Sequence, residues 1–320
     1  MKLDYSILDD SEKIILSLRA LYQQSGFVRY RMDKFEEYDL YAQNKDFLIS
    51  ENVITFTDTD GKLMALKPDV TLSVIKNLPD DPVSLRKISY NENVYRVSRG
   101  TGSFREIMQT GLECLGDVDS AALSEVLLLA AKSMELCASS FVLELSHLDI
   151  LLKLLNNTLT GEEPRRAALK CIGDKNPSGV LSVCREAGAA PAETEALAEL
   201  VRLYGPAERV MPPLKQLCTG KGLDAELCQL EEMLSNLGEN GYGERVQLDF
   251  SSVSNLNYYN GILFKGFVDG LPESVLSGGQ YDKLMRKMGR KSKAVGFAVY
   301  LDRLERMGGS INSGVVFRNA

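Results

Sequence analysis

Arg105-Glu106-Ile107-Met108-Gln109-Thr110-Gly111-Leu112-Glu113-Cys114-Leu115 is the stretch that decides the fold, because its residues alternate with the two-residue period of a β-strand. Met108, Leu112 and Cys114 fall on one side and can seal against a helical layer. Gln109, Gly111 and Glu113 fall on the other. A polar set with a glycine in its middle faces either a ligand cavity, with Gly111 leaving the room, or plain water on a half-exposed antiparallel sheet. The strand alone allows both.

Outward from it, Ile88 to Val97 and Phe104 to Leu115 read as successive strands, and Ile54 to Leu66 as a hairpin turning at Asp60-Gly61. Asp9 with Glu12 forms a helix-starting box, after which Ile15, Leu18, Leu21 and Tyr22 share one face until Gly26. Val126, Leu127, Ala130, Met134 and Cys137 keep helical spacing, and Leu148 to Leu155 starts another helix. After Asn156 the texture changes: six of the ten prolines lie between Pro164 and Pro213, and β-branched alternation fades into Ala, Leu and Glu. Strands return from Val246 to Phe250 and from Gly261 to Val268, and Ala294 to Arg306 reads as a strand entering a helix. These features predict an α+β fold: an antiparallel sheet flanked by helices, formed by 1–160 and 243–320 and interrupted by a helical insertion over 161–242.

With 44% hydrophobic residues in 320, the chain can build a substantial core. A formal charge of −7 gives no general attraction to a nucleic-acid backbone. No apolar run is long enough to span a bilayer, and Met1-Lys2-Leu3-Asp4 opens no signal peptide, so the expectation is a cytoplasmic protein without a membrane partner. Six cysteines without a CxxC pair read as reduced structural thiols. His147 is the single histidine, which excludes a His-rich metal site and any two-histidine mechanism; a hydrogen-bonded structural role is its expected one. No cofactor is expected.

Three more polar segments bear on the site. In Leu66-Lys67-Pro68-Asp69-Val70-Thr71 the carboxylate and hydroxyl suit an ammonium ion or, equally, the cap of a following helix. Leu256-Asn257-Tyr258-Tyr259-Asn260-Gly261 places two adjacent tyrosines, read as a strand pair pointing opposite ways, one of them a phenol for a ring nitrogen. Ser277-Gly278-Gly279-Gln280-Tyr281-Asp282 permits close backbone approach but has neither P-loop nor dinucleotide spacing.

Taken together and in this order, these segments resemble the class II aminoacyl-tRNA synthetase core, specifically its histidyl branch. Ile88 to Gly116, with Val94-Tyr95-Arg96 and Gln109-Thr110-Gly111-Leu112-Glu113, resembles the second class motif. Leu66 to Thr71 resembles the branch's Leu-Arg-Pro-Glu-Gly-Thr loop, and Leu256 to Gly261 its Leu-Asp-Tyr-Tyr segment. Gly278 to Leu284 with Ala294 to Arg303 resembles the third motif. The resemblance implies a histidine site in which Asp69, Thr71 and Gln109 surround the α-amino group. Glu113 and Tyr259, with Tyr258 beside them, then address the imidazole, and Arg96 holds a carboxylate.

Departures from that family gather on the nucleotide side. Ser254 and Asn255 stand where the synthetase has an arginine for the α-phosphate, Ser98 where it has a glutamate, Gln280 where it has an arginine, and Tyr300 where it has a small residue; Arg303 is retained. Losing a fixed positive charge where charge develops removes orders of magnitude in rate. The chain stops at Ala320, which leaves no room for an anticodon-reading domain, so tRNA is not expected as a partner. A core with these losses resembles the family of regulatory subunits that short-form ATP phosphoribosyltransferases require. The resemblance implies a non-catalytic chain in the first step of histidine biosynthesis, partnered by the catalytic subunit and by its own copy as a homodimer, with histidine as effector. A diverged histidyl-adenylate-forming ligase and a pure scaffold are the alternatives.

Overall fold

The computed structural model describes residues 7–45, 48, 53–98, 101–253 and 256–305. The first helix, α1 (Asp10–Gln24), begins as the sequence indicates: Asp9 accepts from the Glu12 amide at 2.7 Å, and Glu12 accepts from the Asp9 amide at 3.0 Å. Ile14, Leu18 and Tyr22 bury its inner face, and Gly26, at φ +82°, lets the chain turn back toward the sheet. It enters a two-residue edge strand, β1 (Val28–Arg29).

A small antiparallel sheet follows, with β2 (Phe35–Glu37), then α2 (Tyr38–Gln43), β3 (Thr55–Thr57) and β4 (Leu63–Leu66), in the order β2-β4-β3. Asp69 caps α3 (Val70–Asn77) through the Leu72 amide at 3.0 Å. The long hairpin of β5 (Arg86–Val97) and β6 (Phe104–Gly116) is in register from Arg86 opposite Leu115 to Val97 opposite Phe104. Next come α4 (Ser120–Cys137), β7 (Phe141–His147) and α5 (Leu148–Thr158).

Between α5 and the returning strands lie α6 (Glu162–Gly173), α7 (Pro177–Glu186), α8 (Pro191–Arg202), β8 (Tyr204–Pro206), α9 (Ala207–Cys218) and α10 (Asp224–Glu239). Pro177 and Pro191 sit at helix starts, where a missing amide hydrogen costs nothing. The chain ends, within the described residues, with β9 (Val246–Asp249), β10 (Asn260–Val268), β11 (Leu276–Gln280), α11 (Asp282–Lys287), β12 (Lys293–Tyr300) and α12 (Leu301–Leu304).

The large sheet runs β1-β5-β6-β12-β11-β10-β7-β9-β8. Its centre is antiparallel as expected, but β1 pairs with β5 and β7 with β9 in parallel. One face packs on α1, α4 and α5 through an apolar cluster that runs on into the helices after α5, joining Leu112, Met134 and Leu154 to Ile172, Leu197 and Leu230. The other face carries a second cluster, built from α2, α3, α11 and Tyr90, Tyr258 and Tyr281. The site opens beside this second cluster. His147 is buried at the start of α5, its Nε2 3.0 Å from Gln229 Oε1 on α10. Burial lowers its pKa, in keeping with a neutral structural ring.

Candidate functional site

Residues two apart on β6 do share a face, and that face borders a cavity and not open water. In register, Glu113 lies between Ile88 and Gly296, Gly111 between Tyr90 and Ala298, and Gln109 between Glu92 and Tyr300. Any side chain at Gly111 would run into the Phe297 carbonyl and the Tyr90 hydroxyl, and one at Gly296 into the Glu113 carboxylate. Gly296 thus makes room for the buried acid, whereas the space Gly111 leaves is taken by the Tyr90 hydroxyl and the Phe297 carbonyl and not by a ligand cavity, contrary to the expectation from the strand. The resulting cleft, open to solvent, narrows to a cavity of about 40 Å³, and its walls include all seven residues singled out in the sequence: Asp69, Thr71, Arg96, Gln109, Glu113, Tyr258 and Tyr259.

Glu113 is 2% exposed. Thr71 donates its hydroxyl to Oε1 at 2.8 Å and Tyr281 to Oε2 at 2.6 Å. These donors favour the anion, yet burial outweighs them and, with Asp69 nearby, pushes the carboxyl up to about 8. Burial also raises Asp69, in spite of its cap bonds and the charge of Arg96. Arg96 is the one cationic side chain in the walls among the described residues, and its Nε donates to the Pro68 carbonyl at 3.0 Å. Gln109 is 3% exposed, and its amide Nε2 has no hydrogen-bond partner among the described residues. A buried acid that burial keeps largely protonated near pH 7 and an amide without a partner among the described residues are costly in a cavity.

A second expectation is overturned. Tyr258 and Tyr259 do not point opposite ways, because they lie in the turn preceding β10 and not within the strand. Both rings line the cavity, with centroids 4.6 Å apart, and Tyr258 stands 6.0 Å from Tyr281. Asp69 proves to be cap and cavity wall at once.

Tyr281 and Tyr90 were missed. Tyr281 lies inside the quoted Ser277–Asp282 segment, and Tyr90 is the register partner of Gly111, so pairing Ile88–Val97 with Phe104–Leu115 would have placed it. Burial raises both phenols far enough to keep them protonated donors.

On the nucleotide side, Tyr300 is 7% exposed and forms part of the wall. The Arg303 guanidinium stacks over its ring at 4.3 Å, bound to Glu273 at 3.2 Å and to the Ser274 carbonyl, so the retained arginine is held outside the cavity walls. Gln280 also turns away, donating to Asp282 at 3.3 Å. Ser254 and Asn255 lie outside the described residues.

A class II synthetase-type sheet carrying an acidic, tyrosine-lined cavity is what this fold and site define. A family model described as histidyl-tRNA synthetase matches residues 8–304, and the chain belongs to that family. Among curated relatives, the ATP phosphoribosyltransferase regulatory subunit of Bacillus cereus (strain ATCC 10987 / NRS 248) is 26% identical over 301 residues, spanning 92% of this chain and 71% of that protein. The one from Clostridium kluyveri is 28% identical over 294 residues, spanning 89% and 74%. Among solved structures, an ATP phosphoribosyltransferase regulatory subunit/histidyl-tRNA synthetase from Bacillus halodurans C superposes with a TM-score of 0.79 at 22% identity, covering 96% of this chain and 83% of that one. A chain of the ATP phosphoribosyl transferase (HisG:HisZ) complex from Thermotoga maritima gives 0.71 at 19% identity, covering 91% and 97%. At such identities the structures speak for the fold.

Proposed function

We propose that the chain is the non-catalytic regulatory subunit of ATP phosphoribosyltransferase, that it binds free histidine in the Glu113 cavity, and that the reaction itself resides in a partner catalytic chain. The names of its relatives support the assignment to that enzyme. The observation that carries the ligand is Glu113, a buried acid held by Thr71 and Tyr281 at the bottom of a cleft with a single cationic wall residue among those described. An imidazole answers it, since it can take the Glu113 proton and return an N–H to the carboxylate. Asp69 and the side-chain oxygen of Gln109 then face the α-amino group, and Arg96 and the Gln109 Nε2 donor the carboxylate.

Chemistry on ATP is disfavoured at the other end, where Tyr300 occupies space and Arg303 is engaged by Glu273. Feedback follows if histidine binds one arrangement of the complex better than another; a coupling of about 1–3 kcal/mol suffices. A cytoplasmic homodimer is the form in which we place this activity.

The test is calorimetry on the whole chain, joined to a phosphoribosyl-transfer assay with the catalytic subunit. Histidine should bind, Glu113→Ala and Tyr259→Phe should weaken it, and transfer should depend on the chain and be inhibited by histidine. Unchanged affinity in both variants rejects the cavity, and pyrophosphate exchange by the chain with histidine and ATP rejects the non-catalytic assignment.

A further inference from the structure

We propose that Tyr300 sets the length of ligand the Glu113 cavity accepts: its ring closes the end that Arg96 borders, so that an amino acid with a free carboxylate fits and one extended through its carboxyl group does not. This inference rests on the reading that the cavity holds histidine with its carboxylate toward Arg96.

The device lies in alternate residues of β12. Gly296, Ala298 and Tyr300 share the face of the sheet that borders the cavity, opposite Glu113, Gly111 and Gln109 respectively. Along this stretch, roughly 13 Å of strand, the wall rises from no side chain to a methyl group to a phenol ring. At the low end a ligand cannot slide deeper, because the Glu113 carboxylate already fills the place a side chain at Gly296 would take. At the high end burial raises the pKa of the Tyr300 phenol, and of the charges acting on it Arg96 comes first and Arg303 second. Arg96 and Tyr300 therefore stand at the same end, and a carboxylate drawn to the guanidinium is drawn toward the closed side.

The ring is braced from outside the cavity. Tyr300 ends β12, its amide donates to the Val275 carbonyl at 2.8 Å, and α12 carries Arg303 over the ring at 4.3 Å. Glu273 at 3.2 Å and the Ser274 carbonyl hold that guanidinium in turn. Three consecutive residues, Glu273, Ser274 and Val275, thus secure one aromatic side chain and its cationic cover. A ring fixed in this way cannot move aside without breaking those contacts, and a rigid obstacle of that kind is how a site refuses a longer relative of its ligand.

Calorimetry on the full chain compares L-histidine with the dipeptide histidylglycine, which keeps the ring and the amino group but carries its carboxylate one residue farther out. The wild-type chain should favour histidine by at least about tenfold, and Tyr300→Ala should bring the two ligands within about threefold of each other. Tyr300→Phe, which keeps the ring, should retain the wild-type preference. If the alanine variant does not fold, Tyr300→Leu, which drops the ring and keeps an apolar contact, should show part of the same narrowing. A preference unchanged in the folded variants, a preference lost equally in Tyr300→Phe, or a wild-type chain that binds both ligands alike overturns the proposal while leaving histidine in the cavity. A wild-type chain that binds no histidine, or binds it undisturbed by both Glu113→Ala and Tyr259→Phe, overturns the cavity reading and this inference together.

Discussion

The two faces of β6 are made from alternate residues of one strand and differ in what completes them. On one, Leu112 and Cys114, both fully buried, close against α4 and its neighbours with apolar contact and need nothing further. On the other, Gln109 and Glu113 are as deeply buried, yet one keeps an amide without a partner among the described residues and the other a carboxyl that burial pushes up to about 8. The first face is finished by folding, whereas folding leaves the second with costly polar groups that the proposed ligand would answer.

The comparison breaks most visibly on the finished face. Leu112→Ala should cost about 3 kcal/mol of unfolding free energy, read from urea melts, because a fully buried leucine leaves a cavity its neighbours cannot close. On the ligand face the sign should reverse. Folding raises the pKa of Glu113, so the folded chain holds this proton more tightly and loses stability as pH rises from the ordinary carboxyl range to about 8. Glu113→Gln, which cannot ionise, should therefore stabilise the empty chain by on the order of 2 kcal/mol at pH 8 and by little at pH 4.5. An equal gain at both pH values would show that ionisation is not the cause.

The smallest effect sharpens the picture. In the proposed complex a histidine–Glu113 pair would hold one shared proton between imidazole and carboxyl. Below about pH 6.5 both partners carry a proton and one must leave; above the carboxyl's pKa of about 8 both have lost theirs and one must be taken up. Histidine affinity should peak between these limits and fall by up to about tenfold per pH unit outside them, followed by calorimetry across pH 5.5–9.5. A flat profile would place the ring elsewhere.

Much of the frame was legible in the sequence, for reasons that particular residues show. Asp9 and Glu12 announce α1 because a capping box is a local device, and β5 and β6 are readable because each strand presents one apolar and one polar face over ten residues or more. The two-residue β1 and three-residue β8 are too short for any period to register, and β11 carries Gly278-Gly279 where a pattern would need side chains. The seven proposed ligand residues converge because motif order carries them. The orientation of the tyrosine pair was unreadable, because a turn and a strand share the same letters until tertiary pairing decides. Tyr281 needed knowledge that the glycine-rich segment folds back onto Glu113, a contact 168 residues away in sequence.

The thin β8 strand constrains motion in the helices around it. It interrupts them to pair with β9, Tyr204 opposite Asp249, while Lys175 from the α6–α7 turn grips the same Asp249 at 2.6 Å and lies over the Tyr204 ring at 4.2 Å. Helices riveted at that spot to the rim of the sheet cannot swing as a free arm. Any signal crossing them must travel as small slips between packed helices, with amide protons around Tyr204 among the slowest in that region to exchange.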